Sequence, residues 1–117
     1  MSLSSPGVHL FYHSRWQGTR VLDELCWGLE EQDVPCRAIC CDDHDCALAL
    51  GKLAAKSSAL RVGLGLNATG DIALTHAQLP EDRALVCGHT RAGTAQIRTL
   101  GANAGQLVKV LPFSEIK

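Results

Sequence analysis

The sequence has no surplus of charge of either sign. Eleven Lys and Arg stand against twelve Asp and Glu in 117 residues, a formal net charge of -1. A phosphate backbone is held through clustered cations that displace its counterions, so nucleic acid is excluded as an expected partner. No window approaches the roughly 20 apolar residues of a bilayer span, and "MSLSSPGVHLFYHSR" has no basic leader followed by an apolar stretch. The expectation is a cytoplasmic chain with no membrane partner. Internal repeats, low-complexity tracts and linkers are lacking as well, and the length leaves no room for a second domain. Hydrophobic residues at 46% and charged residues at 20% give a globular balance, so residues 1–117 are expected to fold as one domain.

The apolar run from Val8 to Tyr12 predicts a strand buried on both faces. From Thr19, which can cap it, to Gln32, the residues Val21, Leu22, Leu25, Cys26 and Leu29 recur at helical spacing, and Pro35 helps stop this helix. A second strand spans residues 36–41. A second helix, capped by Asp43 or Asp45, runs to about Lys56 with Leu48, Leu50, Leu53 and Ala54 as its apolar material. "LRVGLGL" and "IALTH", joined by the turn cluster "NATGD", predict an antiparallel hairpin. "ALVCGH" supplies a fifth strand. The last helix covers about Thr94 to Val110, with Ile97, Leu100, Ala104, Leu107, Val108 and Leu111 on one side and Pro112 ending it. Strands alternating with helices require parallel pairing of the first three, and the tight turn makes the fourth antiparallel. The expected fold is α/β, a three-layer α/β/α sandwich around a five-stranded mixed sheet.

Four of the six cysteines fall in "CRAICCDDHDC", Cys36 to Cys46. In a reducing cytoplasm the even count does not imply three disulfides, and the Asn67-Ala68-Thr69 sequon is no glycan signal. On a strand Cys36 and Cys40 share a face about 13 Å apart, too far for a common zinc ion or a disulfide. No CxxC pair is present. Cys41, His44 and Cys46 could still take a divalent ion; the plainer reading is small buried cysteines followed by a solvated acidic loop.

"GLGLNA" has the letters of a dinucleotide fingerprint but sits in a strand that enters a hairpin. Glycines that let a helix lie close to the sheet fit better. Cys87-Gly88-His89 offers a thiol and a base on one face but no orienting third group, against a core cysteine and a strand-end histidine. His13, His44, Asn67 and His89 follow parallel strands, the edge where open α/β sheets tend to bind ligands, although loops are polar in any case. On the first helix, Arg20, Glu24, Trp27 and Glu31 fall on the face opposite the leucine stripe. An outward Trp there suggests a protein interface, against a Trp folded over its own helix under the stem of Arg20.

"ELCWGLEEQDVPC", "LRVGLGL", "IALTHAQLP" and "TLGANAGQLVKVLPFSE", in this order and spacing, resemble the small subunits of glycerol dehydratase-reactivating factors and, more loosely, those for diol dehydratase. The resemblance covers essentially the whole chain, with residues 99–115 its most specific part; the cysteine-rich segment matches no family motif. It implies an anticodon-binding-domain-like sheet of strand order 2-1-3-4-5. It also implies a non-catalytic subunit with no cofactor of its own. Its partners would be a large, chaperone-type ATPase subunit that binds ATP or ADP, commonly two large plus two small, and a glycerol or diol dehydratase. ATP would drive release of damaged cobalamin, and the small subunit would exchange with a dehydratase subunit so that intact adenosylcobalamin can enter. In the family a glutamate of the "GLEE" segment helps hold a divalent cation, Mg2+, at the large-subunit interface, which corresponds here to Glu31. Arg20, Trp27 and Glu31 are therefore the expected partner-binding residues, and none is catalytic. Two alternatives stand beside this reading: a dehydratase medium subunit itself, and a small metal or thiol-redox protein built on Cys41, His44 and Cys46.

Overall fold

In the computed structural model, which describes residues 7–80 and 83–110, strands and helices follow the expected order. They are β1 (Val8–Tyr12), α1 (Arg20–Glu31), β2 (Cys36–Cys40), α2 (Ala47–Ser57), β3 (Val62–Leu66), β4 (Asp71–His76), β5 (Val86–His89) and α3 (Thr94–Val110). Short 3-10 turns, Ser14–Trp16 and Thr90–Ala92, follow β1 and β5. The strands form one mixed sheet in the order β2-β1-β3-β4-β5. Parallel pairs join β1 to β2 and β3, and antiparallel pairs join β4 to β3 and β5.

The two faces of the sheet differ in side-chain size, and that difference places the helices. Val8, Leu10 and Tyr12 of β1, Val62, Leu64 and Leu66 of β3, and Ile72 and Leu74 of β4 join Leu22, Leu25 and Leu29 of α1 and Ile97, Leu100 and Ala104 of α3 in one core. Each fully buried leucine there contributes roughly 1.5–3 kcal/mol over leaving it in water. The opposite face carries Gly63 and Gly65, in register with Thr75 and Ala73, and α2 lies on it. A Cβ at Gly63 would strike the α2 backbone at Ala55 and Gly51, and one at Gly65 would strike it at Ala47 and Gly51. The glycines of "GLGLNA" thus set helix-to-sheet distance, as their place in a strand suggests.

Boundaries move for local reasons. β3 starts at Val62 because Arg61 adopts φ +63, outside the extended region. Neither Asp43 nor Asp45 caps α2: the residue at its N-cap is Cys46, with no side-chain hydrogen bond. Thr19 does precede α1, but its hydroxyl donates back to the Trp16 carbonyl at 2.6 Å. The expected contributions of the Leu107 and Val108 side chains, and of Leu111 and Pro112, lie outside the described residues. No helix among those described is long and apolar enough to cross a membrane.

The expectation of buried cysteines is overturned. β2 is an edge strand, exposed from Arg37 to Cys40. Cys40, Cys46 and Cys87 are exposed, and Cys26, Cys36 and Cys41 are half-buried. A strand with a neighbour on one side only leaves most of its side chains open to solvent.

Candidate partner-docking face

Helices α1 and α3 meet through glycine. A Cβ on Gly28 would collide with the Arg98 carbonyl oxygen and the Ala102 nitrogen, and one on Gly101 would collide with the Leu25 carbonyl oxygen. Backbones this close let a side chain of one helix lie along the other. Arg98 does so: its Nε donates to Glu24 Oε1 at 2.7 Å and its Nη1 to Glu31 Oε2 at 2.7 Å. Its guanidinium carbon also sits 5.2 Å from the centre of the Trp27 ring, within cation–π range. Arg20 completes the cluster, Nε donating to Glu24 Oε2 at 3.2 Å.

Glu24 therefore faces two guanidinium groups, one on each oxygen. The Arg98 hydrogen bond, ahead of the opposing effect of burial and the weaker Arg20 bond, holds its carboxyl below the ordinary 4.5. The two carboxylates push Arg98 higher still, Glu24 first and then Glu31. Each carboxylate of the cluster has an Arg donor.

This arrangement corrects the helical wheel. Glu24, placed outward with Arg20, Trp27 and Glu31, is only 3% exposed, because α3 covers that side of α1. Trp27 does stand out, at 42% exposure, but the cation lying on its ring is Arg98 of α3, while Arg20 turns to Glu24. Glu31 is half-exposed and ion-paired. Arg20, Trp27 and Glu31 thus share one surface, and Arg98, missed in the sequence, joins them. Its partners lie 74 and 67 residues away along the chain, and only its position on α3 three residues before conspicuous Gly101 hinted at a role.

His13, Asn67 and His89 serve the fold. His13 and His89 each accept, through Nδ1, the backbone N–H two residues on, from Arg15 and Arg91, both at 3.0 Å. Buried His76, not singled out in the sequence, does the same for Gln78. Each imidazole heads a turn at a strand end, the task Asn or Asp performs elsewhere. Buried Asn67 accepts the Asp71 N–H and donates to the Asp45 carbonyl. His44 is exposed. No hydrogen bond joins Cys87 to His89 among the described residues, and Cys87 is exposed rather than core. Nor do Cys41, His44 and Cys46 converge: among the described residues no group of three or more His, Cys, Asp or Glu could hold a metal ion. Asp42 of the acidic loop instead accepts the Ser14 N–H at 2.8 Å.

A cation at this face would therefore find in Glu31 one carboxylate and no ligand cage. That suits a hard divalent ion completed by oxygen ligands from elsewhere.

Comparison with known proteins agrees with the architecture. The dehydratase medium subunit family matches residues 5–114. A curated "Probable glycerol dehydratase-reactivating factor small subunit" from Citrobacter freundii is 98% identical over 117 residues, the full length of both chains. Among solved structures, "Glycerol dehydratase reactivase" superposes with a TM-score of 0.85 at 63% identity, covering 92% of this chain and 95% of that one. A second, the diol dehydratase-reactivating factor complexed with ADP and Mg2+, gives 0.80 at 25% identity, covering 94% and 98%. Superposition and sequence agree, and the chain belongs to the dehydratase medium subunit family and, within it, to the small subunits of glycerol dehydratase-reactivating factors.

Proposed function

We propose that this chain, acting as one domain over residues 1–117, is the non-catalytic small subunit of a cytoplasmic, ATP-dependent factor that releases damaged cobalamin from inactivated glycerol or diol dehydratase. It pairs with a large ATPase subunit, two large plus two small, and exchanges with a subunit of the dehydratase. The observation that carries this reading is 98% identity over the full length of a reactivating-factor small subunit. Membership of a family described by dehydratase medium subunits supports the exchange, since one fold would serve both members of the swap.

The docking surface for the large subunit is the face of Arg20, Trp27, Glu31 and Arg98. A partly exposed Trp with an Arg over its ring has the composition of an interface hot spot. Glu31 is the residue that would reach a divalent cation shared with the large subunit, one oxygen being enough because Mg2+ keeps the rest of its octahedron in water and other oxygens. The cation would add charge stabilisation at the contact; the work of this chain is to present the carboxylate, oriented by Arg98. Nucleotide would belong to the large subunit; the diol dehydratase-reactivating factor structure is a complex with ADP and Mg2+.

The test is recovery of activity from glycerol-inactivated dehydratase holoenzyme supplied with ATP, Mg2+, fresh adenosylcobalamin and the large subunit, with and without this chain. Recovery that depends on the chain is expected. Recovery that is indifferent to it would favour a dehydratase medium subunit, which should bind cobalamin in complex with the dehydratase large subunit.

A further inference from the structure

Cys26 on α1 and Cys36 at the start of β2 bring their Sγ atoms within 2.9 Å. That is inside the ~3.5–4.0 Å at which even carbon atoms rest in contact. Both are half-buried against the main core where the chain passes from α1 into the edge strand. No other two cysteines are in hydrogen-bonding contact among the described residues. The contact also divides the two thiols. Cys26 is held below the ordinary 9.0, first by the hydrogen bond from Cys36, against burial and the nearby Glu30 and Asp23. Cys36 is pushed up by the same bond, by burial, and by Cys26 and Glu30. One sulfur is thus the better thiolate and the other keeps its proton.

We propose that Cys26 and Cys36 are a reversible thiol–disulfide pair, a redox modification site that ties α1 to the edge strand β2. The oxidant class is a hydroperoxide. The Cys26 thiolate attacks its terminal oxygen, the O–O bond breaks, the departing oxygen takes a proton, and Cys26 becomes a sulfenic acid. The Cys36 sulfur then attacks the Cys26 sulfur. An S–S bond forms, the S–O bond breaks, and the hydroxide leaves as water with the Cys36 proton. Two thiols lose two electrons and two protons, and the hydroperoxide is reduced to water and an alcohol, or to two waters from hydrogen peroxide. A dithiol reductant reverses the bond by exchange. The bridge would fix the α1 turn that carries Trp27, the next residue in the chain.

Trypsin releases residues 21–37 as one peptide that holds both cysteines and no other. The full-length chain is treated with limiting hydrogen peroxide, blocked with an alkylating reagent, digested and weighed. The expected result is a 21–37 peptide about 2 Da lighter than its dithiol form and carrying no alkyl group. Dithiothreitol should restore two alkylatable thiols. The same treatment in denaturing urea should give at least about tenfold less of the bridged peptide, because the native contact supplies the proximity. Two alkyl groups on 21–37 after peroxide would overturn the proposal. So would oxidation confined to Cys40, Cys46 or Cys87, or equal bridging in urea.

Discussion

Arg98 of α3 and Glu24 of α1 are joined at 2.7 Å although 74 residues separate them in sequence. The contact is possible only because Gly28 and Gly101 let the two helix backbones touch. Arg98 also holds Glu31 and covers Trp27, so one side chain ties the buried carboxylate to the exposed face. R98A is expected to lower Tm by several degrees, since Glu24 stays buried with one donor fewer. R98K should recover little of that loss, because an ammonium cannot fork between two carboxylates and lie flat on a ring. Thermal unfolding of the three proteins checks this, and equal Tm values for R98K and wild type would contradict it.

Acid should expose the same cluster. The carboxyl of Glu24 is held below 4.5 when folded, chiefly by Arg98. Its contribution to stability is fully present above 4.5 and is lost as pH falls through the folded value. In urea titrations below pH 4.5, E24Q should lose stability with a shallower slope than wild type. Some slope will remain from Asp42, whose carboxyl is also lowered, first by the Ser14 N–H. Identical slopes would mean that Glu24 does not titrate as its partners dictate.

G28A separates helix propensity from packing. In a free helix the substitution would gain about 0.5–1 kcal/mol. Here the new Cβ meets the Arg98 carbonyl and the Ala102 nitrogen, backbone atoms that cannot rotate away. Forcing α1 and α3 apart is expected to outweigh the gain, for a net loss of about 1–3 kcal/mol by chemical denaturation. A more stable G28A would show that α1 and α3 can separate at Gly28 without loss.

What the sequence made legible follows from periodicity and chain order. The leucine stripe of α1, the "VGLGL" strand and the tight "NATGD" turn each carry their own signal, and together they require the mixed sheet. Strand order itself came from the family resemblance. Burial of an individual side chain depended on what was packed over it. A helical wheel turns Glu24 outward because it assumes one covered stripe, whereas α1 is covered by both the sheet and α3. The sequence suggests inward cysteines on β2 because nothing local distinguishes an edge strand from a central one. The Arg98 contacts join residues 74 and 67 apart and are invisible to any window of the chain, whereas Cys26 and Cys36 stand ten apart and meet only because the chain turns back between α1 and β2.

His76 gives a second pH dependence at a different range. Burial, and then Lys52 and Arg61, hold its imidazole below 6.5. Between that value and its folded one, the unfolded state binds a proton that the folded state does not, so stability should fall as pH drops through this interval. H76N keeps a side-chain oxygen to accept the Gln78 N–H without a titrating ring. Its stability should be flatter with pH below 6.5, and an unchanged profile would remove His76 as the cause.

W27A and E31A divide the proposed docking face into its packing and its cation. Trp27 is 42% exposed and carries the Arg98 guanidinium on its ring, so W27A should cost the free subunit only about 0.5–1 kcal/mol. Against the large subunit it should behave as a hot spot, costing about 2 kcal/mol or roughly thirtyfold in affinity, at any Mg2+ concentration. E31A should differ in kind, its deficit appearing when Mg2+ is restored after removal, because the wild type alone gains a ligand. Calorimetric titration of each variant with the large subunit, at paired Mg2+ and chelator conditions, resolves the two. If E31A tracks wild type in both conditions, Glu31 is only the carboxylate partner of Arg98 and the cation does not bridge through it. If W27A binds as tightly as wild type, the interface lies on another surface of the chain, and the exposed edge strand β2 becomes the next place to substitute.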